Sequence, residues 1–155
     1  MNIILETSRL YLRQFIEADA ALLRQLNSQP GVLQYIPEPI PASDEEAKEI
    51  LINIILPQYK NNPGRWATHI IENNEIDLGY RFMPSAWGKG YATELAKATL
   101  EYGHQNLQLK KIIAHAHIDN IASQKVLEKI GMQYVGEGID GGLPVKGYVS
   151  FSSNL

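Results

Sequence analysis

The sequence predicts one α/β (α+β) domain over residues 1–155, built on a mixed sheet. Three observations carry this. Short alternating runs that suit strands are interleaved with longer runs at helical spacing, the pattern of helices packed on a sheet. The chain has 155 residues, 45% apolar and 20% charged, enough for one core and ordinary for a folded domain. A strand-like run, a glycine turn and a helix-like run succeed one another between Ile76 and His104. That junction is the most informative stretch of the chain.

From the N-terminus, Arg9 to Arg13 alternates and reads as a strand. Ile16 to Leu26 carries Leu22, Leu23 and Leu26 at helical spacing, and stops at the breakers Asn27 to Gly31. Ser43-Asp44-Glu45-Glu46 is a capping box, in which Ser43 caps the helix start and Glu46 reaches back. Behind it Ala47, Ile50, Leu51, Ile54 and Ile55 share one face, until Pro57 ends or kinks the helix. Arg65 to Glu72 and Ile76 to Met83 read as strands joined at Asn73-Asn74. A helix over Tyr91 to His104 buries Ala92, Leu95, Ala96 and Thr99. Lys110 to Ile118 is a strand with Ile112, Ala114, Ala116 and Ile118 on one face and Ile113, His115 and His117 on the other. Asp119-Asn120 opens a helix with the stripe Ala122, Val126 and Ile130, stopped by Gly131. Strands near Met132 to Glu137 and Val145 to Phe151 close the chain, with a mobile glycine-rich segment, Gly136 to Pro144, between them.

The segment Trp87-Gly88-Lys89-Gly90-Tyr91-Ala92-Thr93-Glu94 joins strand to helix. No Ser, Thr, Asp or Asn stands immediately ahead of this helix to satisfy the unpaired N–H groups of its first turn. Bare backbone and a helix dipole together favour an anion. A Walker-type loop fails, because Lys89 is followed by Gly90 and no glycine lies five residues before Gly88. A dinucleotide fingerprint is weak, because Thr93 takes the third glycine position and Lys110-Lys111 opens the later strand where an acid is needed.

The third ligand class is coenzyme A. Here the chain resembles the GNAT superfamily of N-acetyltransferases, in particular the group related to the ribosomal-protein-alanine acetyltransferases. The superfamily signature is Arg or Gln, two residues, Gly, one residue, then Gly or Ala. Trp87 to Ala92 matches it with Trp87 in the first place, as is usual for this subgroup. Glu6 to Arg13, Ile76 to Tyr80 and Asp119 to Met132 resemble the same subgroup, in the same order. The resemblance implies a single-domain GNAT-like fold: a mixed, mostly antiparallel sheet, splayed at the cofactor slot and flanked by about four helices. It implies that the backbone from Trp87 through Gly88, Lys89, Gly90, Tyr91 and Ala92 to Thr93 holds the pyrophosphate of acetyl-CoA. It also implies that the pantetheine arm pairs with the strand edge at Phe82 and Met83. Asn120 would bond the arm, and Ser123, one turn on, would lie near the sulfur.

Acetyl transfer to an amine needs a neutral nucleophile and a stabilised leaving thiolate. Deprotonating an α-amine at neutral pH costs about 1 kcal/mol, and a lysine amine roughly 4 to 5. A modest base therefore suffices for an N-terminal amine. Asp77, early on the strand beside the thioester, is the base candidate, with Glu75 second; the plain alternative for Asp77 is a solvated strand-end acid. Many superfamily members place a Tyr acid seven residues after the helix-start Asn, where this chain has Leu127. Ser123 is the substitute, with Tyr80 and Tyr91 behind it; its plain alternative is a hydroxyl bonding its own helix. A backbone N–H of strand 76–83 is placed to polarise the carbonyl. Lys89, Lys125 and Lys129 are phosphate candidates or solvated faces, and Trp87 a packing brace. Tyr35 falls where the family places the acceptor. His115 and His117 form an i, i+2 pair with no third metal ligand evident, and no metal is expected. His69 and His104 have no partner in sequence.

Composition limits the rest. With Lys and Arg totalling 14 and Asp and Glu 17, the net charge is −3, which argues against a nucleic-acid partner. The absence of cysteine excludes disulfides and a cysteinyl acyl-enzyme. No signal-peptide pattern opens the chain and its aliphatic runs are too short to span a bilayer, so the cytoplasm is expected and a membrane partner is not. The apolar helix 44–56 and the C-terminal strand are candidate surfaces for a homodimer. The family places three antiparallel strands between the second helix and the cradle, whereas this chain shows two. Removing one strand from a meander reverses the direction of every later strand. A strand plus turn of roughly 15 residues is therefore expected to be missing near residues 73–75, the alternative being a rearranged sheet with a damaged site. The reading is an N-acetyltransferase whose partners are acetyl-CoA and a primary amine, either a protein N-terminus or a small molecule. The alternatives are a non-catalytic acyl-CoA-binding or sensing module and a dinucleotide-binding oxidoreductase.

Overall fold

The computed structural model describes residues 3–60, 67–70 and 75–152, with the side chains of 67–70 and 75–77 excepted. Strands β1 (Ile3–Glu6) and β2 (Tyr11–Arg13) form an antiparallel pair of their own. Strands β3 (Ala67–Ile70), β4 (Glu75–Leu78), β5 (Lys111–His117), β6 (Gln133–Asp140) and β7 (Leu143–Phe151) form a second sheet in the order β3-β4-β5-β7-β6. All its ladders are antiparallel except β4 with β5, which run parallel. The mixed, mostly antiparallel sheet is thus present.

Four helical runs accompany it among the described residues. Helix α1 is Ala20–Asn27, preceded by a 3-10 turn at Glu17–Asp19 where a helix from Ile16 is predicted. Helix α2 (Asp44–Ile50) starts at the predicted cap, with Glu46 N–H donating to Ser43 Oγ at 3.2 Å. The Glu46 carboxylate reaches back one residue further than expected, accepting from Ala42 N–H. Pro57 has no N–H to continue the ladder, and the turn before it widens into a π-helix over Leu51–Ile55, with Leu56 N–H reaching Leu51 O. The run then continues as α3, Leu56–Gln58. Helices α4 (Tyr91–Gln105) and α5 (Ile121–Lys129) pack on one face of the sheet.

The alternation read for β5 holds. Ile112, Ala114 and Ala116 join Ala96, Leu100, Leu127 and Tyr148 in the main core, leaving His115 and His117 on the opposite face. A second core, Ala20, Leu23, Ala47, Leu51 and Ile55, joins α1 to α2 and packs against Phe15 and Tyr59. The α4 stripe sits slightly later than predicted: Ala96, Thr99, Leu100 and Gly103 are buried. Helix α5 buries Gln124 and Leu127, with Ala122 exposed. Gln124 can be interior because its amide donates to the carbonyls of His117 and Ile118 and its oxygen accepts from Lys146. The glycine-rich segment predicted as mobile is a hairpin, with β6 running to Asp140 and turning on Gly141 and Gly142, both at positive φ.

Two strand expectations change. Strand β4 ends at Leu78, not Met83. Of the stretch near residues 73–75 where a strand is expected to be missing, 73 and 74 lie outside the described residues and Glu75 opens β4. No ladder joins β2 to β3 among the described residues, so the direction of β3 is not inherited from β2, and β4 runs parallel to β5.

Candidate active site

The parallel ladder of β4 and β5 contains one register pair, Asp77 with Ile113. Beyond Leu78 the chain leaves β5, and a slot opens between Gly79–Arg81 and the C-terminal half of β5. A cavity of about 670 Å³ runs through it. On the α4 and α5 side its walls are Leu95, Ala96, Thr99, Asn120, Ser123 and Leu127. On the other side they are Arg13, Phe15, Tyr35, Glu38, Tyr59, His115, His117 and Asp140. The cavity therefore reaches both faces of the sheet.

The cradle lies at the start of α4. Gly88 (φ 72°) and Gly90 (φ 78°) adopt the left-handed conformation that a Cβ disfavours. Gly90 caps α4 with no side-chain hydrogen bond, as read from the sequence. The first helical bond is Glu94 N–H to Gly90 O, and the N–H groups of Gly88 through Thr93 have no partner among the described residues. A Cβ at Gly88 would meet nothing within 4 Å, so this backbone is open to an approaching anion. The donors and the space fit a diphosphate.

The N-terminal segment fixes this turn, a role sequence reasoning missed. Thr7 Oγ1 (2.7 Å), Ser8 Oγ (3.2 Å) and Arg9 N–H (3.0 Å) all donate to Glu94 Oε1, and Arg9 Nε donates to Oε2 at 2.5 Å. Arg9 Nη1 also donates to Lys89 O at 3.0 Å, and its guanidinium lies 4.7 Å from the centre of the Tyr91 ring. The Thr7 hydroxyl first, with Arg9 and Ser8, holds the Glu94 carboxyl down to about 2 against an opposing push from desolvation. One end of the clamp stands in a segment that carries the family resemblance and the other stands two residues past the signature, but they are 85 or more residues apart, which no local pattern reveals.

The predicted edge at Phe82 and Met83 is not a strand. Phe82 O accepts from the Trp87 indole at 2.9 Å and Met83 O accepts from Ala86 N–H at 2.8 Å, so local turns use these carbonyls. Trp87 also packs close to Gly31. The residues along the slot are Gly79, Tyr80 and Arg81. Arg81 fixes this wall: its guanidinium holds Glu38 through both terminal nitrogens at 3.0 Å and donates to the buried Asn27 Oδ1 at 3.0 Å.

Asn120 Oδ1 accepts from Ser123 N–H at 3.1 Å and caps α5. Ser123 Oγ does not bond its own helix; it meets the Tyr80 hydroxyl at 3.2 Å across the cavity. Burial pushes the Tyr80 phenol above its ordinary value, with the Ser123 contact offsetting part of that. Asp77 and Glu75 both lie on β4, with Asp77 at the last ladder position before the slot. Tyr35 stacks on His117 with ring centres 4.9 Å apart. Asp119 N–H donates to His117 Nδ1 at 3.1 Å, so the neutral ring carries its proton on Nε2. His104 does have partners: Leu109 O, five residues on, at Nδ1, and the distant Ser150 Oγ at Nε2. His69 lies among the side chains outside the described set. No group of three or more metal-ligating side chains occurs among the described residues, and no helix there is long and apolar enough to cross a membrane.

Residues 9–133 match the family profile described as an acetyltransferase (GNAT) domain. The chain is 32% identical over 141 residues to the uncharacterized N-acetyltransferase YnaD of Bacillus subtilis, covering 84% of this chain and 82% of that protein. Its fold superposes on a GNAT-family acetyltransferase from Bacillus anthracis with a TM-score of 0.78 at 27% identity, covering 97% of this chain and 99% of that one. It shares the fold of RimL, a ribosomal L7/L12 α-N-protein acetyltransferase solved with coenzyme A, at a TM-score of 0.71 and 19% identity, over 97% and 98% of the two chains. The signature turn, the open N–H array and the slot beside β5 have their explanation in this kinship: the chain belongs to the GNAT acetyltransferase family.

Proposed function

We propose that this chain transfers acetyl from acetyl-CoA directly to a primary amine, without a covalent enzyme intermediate. The observation that carries this reading is the unpartnered N–H array of Gly88 to Thr93 at the start of α4, whose next turn, at Leu95 and Ala96, lines the cavity that opens where the chain beyond β4 parts from β5. The array with the α4 dipole holds the diphosphate, and Lys89 and Thr93 belong to that turn. The pantetheine arm runs along Gly79 to Arg81, one step earlier than Phe82 and Met83, with Asn120 opposite. The acceptor enters from the side of Tyr35, Glu38, His117 and Asp140.

Asp77 takes the amine proton, with Glu75 in reserve. The amine nitrogen attacks the thioester carbon, the C–S bond breaks and the electron pair leaves on sulfur. Ser123 faces that sulfur. An α-amine asks little of its base, which suits a single carboxylate at the edge of the slot. The test is calorimetry with acetyl-CoA, then an amine screen read by free thiol, which a cysteine-free chain gives without protein background. Binding followed by amine-dependent thiol release is expected. Binding with no release against any amine would make the chain an acyl-CoA-binding module.

A further inference from the structure

The Tyr80 hydroxyl is the group the acetyltransfer reading leaves without work. Tyr80 comes after Gly79, where β4 has already left its ladder, and its ring packs against the main core, so the phenol oxygen is held on a rigid body. That oxygen lies 3.2 Å from Ser123 Oγ, and both residues line the cavity. Ser123 sits in the first turn of α5, its backbone N–H fixed by Asn120 Oδ1. The cap therefore sets the position of the Ser123 side chain, and Tyr80 is the hydroxyl partner that it meets.

We infer that Tyr80 and Ser123 form one donor unit at the leaving sulfur: Tyr80 donates to Ser123 Oγ, which turns the Ser123 proton toward the departing thiolate. This rests on the reading of Ser123 as the residue facing sulfur. In the step itself the N–C bond forms and the C–S bond breaks. The amine proton leaves to the base and then to solvent. The electron pair collects on sulfur against the aligned hydroxyl dipoles. The thiolate takes its proton from solvent as it is released, so neither hydroxyl ends the step ionised. Burial raises the Tyr80 phenol, which therefore keeps its proton and serves as a standing donor. Two hydroxyls in series polarise one another and strengthen the terminal bond. Tyr80 acts through Ser123 and is a positioning residue; Ser123 is the one that touches the sulfur.

The experiment uses the full chain and the variants Tyr80→Phe, Ser123→Ala and their combination. Three quantities are measured: acetyl-CoA affinity by calorimetry, kcat with a saturating amine, and the fraction of bound CoA present as thiolate at one mildly alkaline pH, by ultraviolet difference. The wild type is expected to hold more thiolate than free CoA does. Each single variant should lose roughly tenfold or more in kcat, the scale of a hydrogen bond to a charged group. Each should also lose the excess thiolate and keep acetyl-CoA affinity within about twofold, because the interaction belongs to the transition state. The double variant should be no slower than Ser123→Ala alone. Additive losses, an unchanged thiolate fraction in Tyr80→Phe, or a Tyr80→Phe defect confined to acetyl-CoA affinity would each overturn the donor unit. Failure of the wild type to bind acetyl-CoA would instead overturn the acetyltransfer reading beneath it.

Discussion

Replacing Gly90 with alanine tests the geometry on which the cradle depends. Gly90 has φ 78° and ψ 3°, and caps α4. An L-residue with a Cβ pays about 1–2 kcal/mol to hold that left-handed conformation. The lower entropy of the unfolded alanine chain returns roughly 0.4–1 kcal/mol. The new methyl would stand 3.5 Å from Arg9 Nη2, an ordinary van der Waals distance, so no clash adds to the strain. The net loss is about 1 kcal/mol, a fall in Tm of roughly 2–4 °C for a domain of this length. Gly79 is the control: it has no positive φ and nothing within 4 Å of its Cβ, so Gly79→Ala should not destabilise. Urea and thermal unfolding of the two variants beside the wild type give the comparison. If Gly90→Ala relieves strain by shifting the turn, acetyl-CoA affinity falls as well, because the N–H array moves with it. Gly90→Ala with wild-type Tm and wild-type affinity would refute the left-handed turn, and with it the cradle.

Asp77→Asn is expected to slow amine-dependent thiol release while leaving acetyl-CoA affinity largely intact; unchanged turnover removes Asp77 from the mechanism and moves attention to Glu75. Glu94 is held at about 2 in the folded chain against an ordinary 4.5, so its contribution to stability is complete above about 4.5 and is lost as pH falls through about 2. Glu94→Gln should therefore flatten the decline in Tm across that window, and an unaltered acid limb would sink the clamp. A strand missing near residues 73–75 predicts that a tryptic digest of the natural protein lacks the peptide 66–81 as written and yields a longer one. Detection of the written peptide would establish a genuine two-strand junction.

Much of the fold was legible because it is periodic. The alternation of Ile112 to His117 gives the two faces of β5, and Ser43 marks the start of α2, because pleat and cap are local properties. The uncapped glycine turn at the start of α4 was legible for the same reason: an absent capping side chain and two glycines are visible without tertiary structure. Other features were set by packing. Apolar Tyr80, Phe82 and Met83 extend the pattern of β4, yet the chain leaves the ladder at Leu78, where Arg81 is held by Glu38 and Asn27. The hairpin at Gly141-Gly142 was hidden by the many glycines that precede it, which read as loop until β7 supplies their ladder partners. The Thr7, Arg9 and Glu94 clamp and the Tyr80–Ser123 contact join residues far apart in sequence, and only the folded chain brings them together.

Because the cavity reaches both faces of the sheet, the proposed acetyl transfer can be approached from opposite sides. On that reading acetyl-CoA and the amine can each arrive while the other is seated. Steady-state kinetics should then show intersecting double-reciprocal lines. A product trapped on one face would slow the opposite substrate's turnover without competing for its place.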